Sequence, residues 1–234
     1  ITPDSFYDGG KFFNKQSLKN KFDNLNKSDI IDIGAESSRP GALEIDESSE
    51  IKRISKVFSY LGAKNKYYSI DTYKPNIAAY AIKNGFNMVN DITGGYDLRM
   101  LETVSEAKIP IILMHMQGNP RNMQSNPKYK NIIDDLLSFF ESRISSCLKY
   151  GINKKQIIID PGIGFGKTVS DNDTIIRCLS RFKIFDIPIL VGLSRKSFLS
   201  INNDKPIDRL ESSLAVASIA INNGADIIRV HDIE

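Results

Sequence analysis

Three oxygen-bearing side chains stand at the ends of short apolar runs: Asp71 in "SIDTYKP", Asn90 in "VNDITGG" and Asp160 in "IIIDPGIGFGKT". A carboxylate or amide oxygen placed there either organises the turn that follows or points inward to accept hydrogen bonds from ring N–H and amino groups. Both readings stand for Asp71. Asn90 and Asp91 must divide them, because adjacent strand residues face opposite ways. Cations gather at two other run ends. "GLSRKSF" sets Arg195 and Lys196 between a strand and a helical segment, where they, Ser197 and the amides of a helix start suit a carboxylate or phosphate. Arg229 and His231 in "RVHD" are spaced to share one strand face and converge on a phosphate or pyrophosphate. "GAESSRPG" adds Ser38 and Arg39, which suit an anion, with Pro40-Gly41 fixing the turn.

Two tempting motifs fail. In "IIIDPGIGFGKT" a phosphate-cradling P-loop needs glycine where Pro161 stands, and a dinucleotide fingerprint needs it where Lys167 stands. The glycines instead permit a tight backbone beside a pocket. His115 has no Cys, Asp or Glu at ligand spacing, so a structural role outweighs a metal-binding one.

The elements that carry these residues alternate. β-rich runs at 29–34, 67–71, 87–91, 109–115, 156–160, 187–192 and 225–231 are near-continuously hydrophobic, as in a parallel sheet covered on both faces. Between them, 44–61, a segment opening at Pro75, 128–150 and 206–223 have helical period, the last two ending near Gly151 and Gly224. A doubly wound sheet and a (β/α)8 TIM barrel both fit. Polar residues at nearly every strand end favour the barrel, which brings all those ends round one pocket. Its first strand is expected upstream of Ile1 and its closing helix after Glu234.

With 234 residues, 41% of them hydrophobic, a single domain over 1–234 is expected. The net charge of +3, from 31 basic and 28 acidic residues without a basic tail, fits a pocket for an anion and not a nucleic-acid surface. Cys147 and Cys178 belong to no metal or redox motif, which suits a reducing cytoplasm. No run is long and apolar enough for a membrane span.

Taken in order, "TPDSFYDGG", "DIIDIGAESSRPGA", "SIDTYKP", "VNDITG", "LMHMQG", "DPGIGFGKT", "GLSRKSF" and "RVHD" resemble the dihydropteroate synthase family across essentially the whole chain. The resemblance implies a TIM barrel that joins 6-hydroxymethyl-7,8-dihydropterin pyrophosphate to 4-aminobenzoate, with Mg2+, releasing pyrophosphate. It implies that Asp71, Asn90, Met116, Asp160 and Lys196 bind the pterin, and that Ser38, Arg229 and His231 hold the pyrophosphate. Lys196, Arg229, His231 and Asp71 carry the catalytic roles in that reading. Phe6, Arg39, Pro40, Phe165 and Ser197 face the aminobenzoate, for which sulfonamides compete. A homodimer is implied too, and the family's metal-handling Asn falls upstream of Ile1, leaving no metal ligand within this numbering. Ser38 stands where the family often has Thr, and Ala35 replaces a frequent glycine. Two alternatives remain, a related pterin-dependent methyltransferase and an inactive pterin-binding subunit; the first leaves Arg229, His231 and "SRKSF" less well explained.

Overall fold

The computed structural model describes residues 15–38, 41–62, 66–200 and 204–232. Seven strands and seven α-helices alternate through them: α1 (Lys15–Asn24), β1 (Ile30–Gly34), α2 (Glu47–Ile54), β2 (Tyr67–Asp71), α3 (Pro75–Lys83), β3 (Met88–Asp91), α4 (Leu98–Ala107), β4 (Ile111–Met114), α5 (Ile132–Lys149), β5 (Ile157–Asp160), α6 (Val169–Arg177), β6 (Leu190–Gly192), α7 (Leu210–Asn222) and β7 (Ile227–Arg229). Every strand anticipated from the apolar runs is present.

The strands pair in chain order and all in parallel, β1 through β5 in one sheet and β6 with β7 in another. A bridge between Ile159 and Ile189 carries the order across the join. Laid flat, seven strands at ~4.8 Å spacing would separate β1 from β7 by ~29 Å. Instead Arg229 Nη1 on β7 lies 3.1 Å from Asp32 Oδ2 on β1. Only a sheet curled on itself brings those side chains together, so the open alternative is excluded. Among the described residues no strand lies between β7 and β1. The first strand and closing helix anticipated beyond Ile1 and Glu234 lie outside the described residues.

Alternation along each strand sorts the core into two layers. Outward residues such as Ile31, Ile33, Ile70, Val89, Leu113, Ile159 and Val191 pack with Ala78, Leu101, Val104, Leu136, Phe140 and Ile175 of the helices. Inward, Met88, Ile112, Ile158 and Leu190 form a separate cluster joined by Ile30 and Ile227. This apolar ring fills the N-terminal end of the barrel, as side-chain layers do in closed parallel sheets.

Local chemistry trims the helices. The stretch expected at 44–61 is α-helical only to Ile54 and continues as a 3-10 helix over Ser55–Tyr60. The Ser55 hydroxyl donates to Ile51 O at 2.7 Å, a back-bond that perturbs regular helix. Helix α5 starts at Ile132 and not at 128, because the Asn131 side chain caps it by accepting from the Ile133 and Asp134 amides. Gly151 and Gly224 follow α5 and α7 at φ +84° and +112°, as anticipated.

Candidate active site

Two residues beyond the apolar ring, on the same inward faces, stand Asp32, Asn90, Met114, Asp160, Gly192 and Arg229. Pairing register sets Asp71 beside Asn90 and Met114 beside Asp160. A polar floor thus sits directly on the apolar plug, at the C-terminal end of the strands. Gly192 gives Arg229 room, since a Cβ on it would stand 3.3 Å from the Arg229 Nε and press the guanidinium aside.

The floor is wired around Asp32. Its Oδ2 accepts from Arg229 Nη1 and from Asn90 Nδ2, each at 3.1 Å. That arrangement turns the other end of the amide, Asn90 Oδ1, into a buried acceptor with no partner among the described residues. Such an atom is costly unless a ligand donor meets it. Asp160 Oδ1 accepts from the Gly162 amide at 2.8 Å. Burial raises the Asp160 pKa against the opposing charges of Arg229 and Lys196. Burial, with Asp32 nearby, pushes the Asp71 carboxyl up to about 7, so it can accept or donate near neutrality. Burial, with Arg229 nearby, brings the Lys196 amine down to about 7. Burial disfavours the Arg229 charge too, but Asp32, Asp71 and Asp160 outweigh it and raise its pKa.

Above the floor, Phe165, Met114, Met123 and Ile92 form an apolar wall with Met116 and Tyr73 packed against it. Lys196 Nζ lies 4.8 Å from the centre of the Phe165 ring and donates to Ile163 O. Ser38 shares a recess with Asp71, lined also by Glu36, Thr72, Tyr73 and Pro120. The loop bearing Ser38 is braced from behind: Lys74 Nζ meets Glu36 Oε2 at 2.5 Å, Glu50 Oε2 at 2.9 Å and Ile45 O at 2.7 Å.

The glycine run owes its shape to crowding. Gly162, Gly164 and Gly166 have φ of +69°, +79° and +63°, and a Cβ on Gly162 would lie 1.9 Å from His115 O. Its amides are spent internally, Gly162 on Asp160, Gly164 on Asn172 and Phe165 on Gly162.

Comparison with known proteins decides the family. The family model for pterin binding enzymes matches residues 1–231. The dihydropteroate synthase of Haemophilus influenzae is 40% identical over 239 residues, spanning 100% of this chain and 86% of that one. The chain belongs to the dihydropteroate synthase family. Among solved structures, Yersinia pestis dihydropteroate synthase in a sulfonamide complex superposes with a TM-score of 0.93 at 39% identity, covering 99% of this chain and 86% of that one. The Xanthomonas albilineans dihydropteroate synthase with 4-aminobenzoic acid gives a TM-score of 0.88 at 32% identity, covering 99% and 85%.

In this member of the dihydropteroate synthase family, Asp71, Asn90, Asp160, Lys196 and Arg229 do converge, and Met116 and Phe165 meet on the wall above them. Asn90 faces inward while Asp91 organises the loop, accepting from the Thr93 and Gly95 amides, the division required by alternation. Two expectations need correcting. Arg229 and His231 do not share one strand face: β7 ends at Arg229, and the His231 Nδ1 lies 3.0 Å from Ser194 Oγ. The helix start at Ser197 is a single 3-10 turn, Ser197–Leu199, with Ser197 exposed. Arg195 leaves the pocket altogether, pairing with Asp232 at 2.8 Å. Phe6, Arg39 and Pro40 lie outside the described residues. Asp32 is the floor residue that the motif reading passed over; its signal is an acid inside the apolar run "DIIDIG", two places before the strand's end.

Proposed function

We propose that the chain condenses 6-hydroxymethyl-7,8-dihydropterin pyrophosphate with 4-aminobenzoate, giving 7,8-dihydropteroate and pyrophosphate. The observation that carries this reading is the unpartnered Asn90 Oδ1 set among Asp71 and Asp160 on the barrel floor. A flat ring rich in N–H groups supplies the donors those oxygens lack, while Lys196 donates to a ring acceptor. Arg229 spends one bond on Asp32 and keeps further N–H donors for the pyrophosphate, with Ser38 and His231 at the rim. The aminobenzoate ring lies along Phe165, its carboxylate near Ser197 and Arg39, with Pro40 and Phe6 closing over it.

In the reaction the methylene's C–O bond breaks, the pyrophosphate leaves with the electron pair, and the arylamine nitrogen forms the new C–N bond, then loses a proton to solvent. Cations stabilise the departing charge, and the floor and wall align the two partners. No strong protein base is required. Among the described residues no group of three His, Cys, Asp or Glu side chains forms a metal cage. Mg2+, when bound with the substrate, would neutralise the leaving pyrophosphate, and every step assigned above belongs to this chain's own residues.

A homodimer in the cytoplasm completes the proposal. Exposed Leu214 and Ile221, two turns apart on one face of α7, offer apolar surface to a second copy, and the unpaired Cys147 and Cys178 suit a reducing compartment. Among the described residues no helix is long and apolar enough to cross a membrane. Incubating the full-length protein with both substrates and Mg2+ should release dihydropteroate and pyrophosphate in equal amounts. Folded protein that binds both substrates and forms neither product would overturn the assignment.

A further inference from the structure

Lys167 has no place in the chemistry above, yet it is among the most buried charged residues, 3% exposed. Its hydrogen bonds all go to the loops that carry the wall. Its amine donates to Phe165 O at 2.9 Å and His115 O at 3.2 Å, and meets His115 Nδ1 at 3.0 Å. These partners belong to two exit loops, those following β4 and β5.

The His115 ring is held in turn, edge-on to Phe139 with centroids 4.8 Å apart. Burial and the neighbouring Lys167 keep its pKa well below the ordinary histidine value, so the neutral ring offers Nδ1 as an acceptor. The β4 loop grips the β5 loop from the other side, Gln124 Nε2 bonding Gly164 O and Tyr129 OH bonding Gly166 O, both at 2.6 Å. Lys167 is the tie running in the opposite direction. Its two carbonyl partners adjoin the wall itself: one belongs to Phe165, and the other is followed by Met116. Asp71 and Asn90 stand on β2 and β3, away from these partners, and of the floor residues only Asp160 and Lys196 feel the Lys167 charge, with no hydrogen bond to it.

We propose that Lys167 is a positioning residue for the second substrate, fixing the Phe165 ring against the 4-aminobenzoate position by gripping the Phe165 and His115 carbonyls without touching either ligand. This rests on the reading of Phe165 as the aminobenzoate surface. His115 serves as the tie's anchor.

Steady-state kinetics on Lys167→Met, His115→Phe, His115→Asn and Phe165→Ala test it, alongside calorimetric binding of the pterin pyrophosphate. Lys167→Met should raise the aminobenzoate KM by about tenfold, and change the pterin pyrophosphate affinity several times less, by no more than its charge effect on Asp160 and Lys196. His115→Phe should raise that KM in the same direction. His115→Asn, whose Oδ1 supplies an acceptor where Nδ1 stood, should restore it toward wild type. A Lys167→Met enzyme with an unchanged aminobenzoate KM, or one that loses both substrates alike, overturns the proposal; if that variant is recovered unfolded, His115→Phe against His115→Asn decides by the same criteria. An unchanged KM in Phe165→Ala overturns the placement of the ring on Phe165 and the proposal with it. A changed Phe165→Ala beside an unchanged Lys167→Met overturns the Lys167 role alone.

Discussion

Asp160 is committed at one oxygen and faces nearby cations, so its loss leaves a ligand donor unpaired and removes the negative charge that Arg229 and Lys196 feel. Asp160→Ala should weaken pterin binding by about 1–3 kcal/mol, measured by calorimetry. Asp71 makes a pH prediction for the unliganded protein. Its pKa rises from an ordinary 3.8 to about 7 on folding, so across that window the folded state holds more proton than the unfolded chain. Stability from this group is therefore present at low pH and lost as pH rises through about 7. Asp71→Asn should show a smaller fall in unfolding free energy between pH 5 and pH 7 than wild type, by urea denaturation at each pH. Much of this floor is legible from sequence, because an Asp or Asn ending an apolar run has few reasons to be there. Asp32 is harder to find, since its partner Arg229 lies 197 positions away. Arg195 and Lys196 look equivalent as neighbours, but the left-handed turn at Arg195, φ +56°, sends one to Asp232 and the other to the pocket.

At the level of elements, the β4 and β5 exit loops behave as one unit. Gly162→Ala would drive a Cβ into His115 O and strain a positive φ. It should destabilise the fold by more than ~1 kcal/mol, seen as a lower urea midpoint. Strands are readable because both faces are covered, making each run apolar throughout. Helices are less so. Helix α6, "VSDNDTIIR", carries little apolar pattern and starts at the Thr168–Asp171 capping box, while the 44–61 stretch tightens to a 3-10 helix at Ser55 with no signal in its apolar period. The interlock through Lys167 is invisible to pattern altogether, since nothing in "GFGKT" announces that its cation points away from the ligand.

For the whole molecule, the Arg229–Asp32 bond joins the last described strand to the first. Arg229→Gln should weaken the pyrophosphate-bearing substrate more than the free pterin. Amide exchange should quicken in β1 and β7 while β3 and β4 keep their protection; uniform quickening would mean that the bond matters to the entire barrel and not to its edge. The ring of Ile30, Met88, Ile112, Ile158, Leu190 and Ile227 has its own consequence for traffic. Among the described residues it closes the barrel at the end away from the polar floor, so in the proposed reaction substrates reach that floor from the C-terminal side of the strands. A pterin seated on the floor as proposed would then have to arrive before the aminobenzoate above it, and pyrophosphate would depart past the rim while the joined product is still lodged beneath.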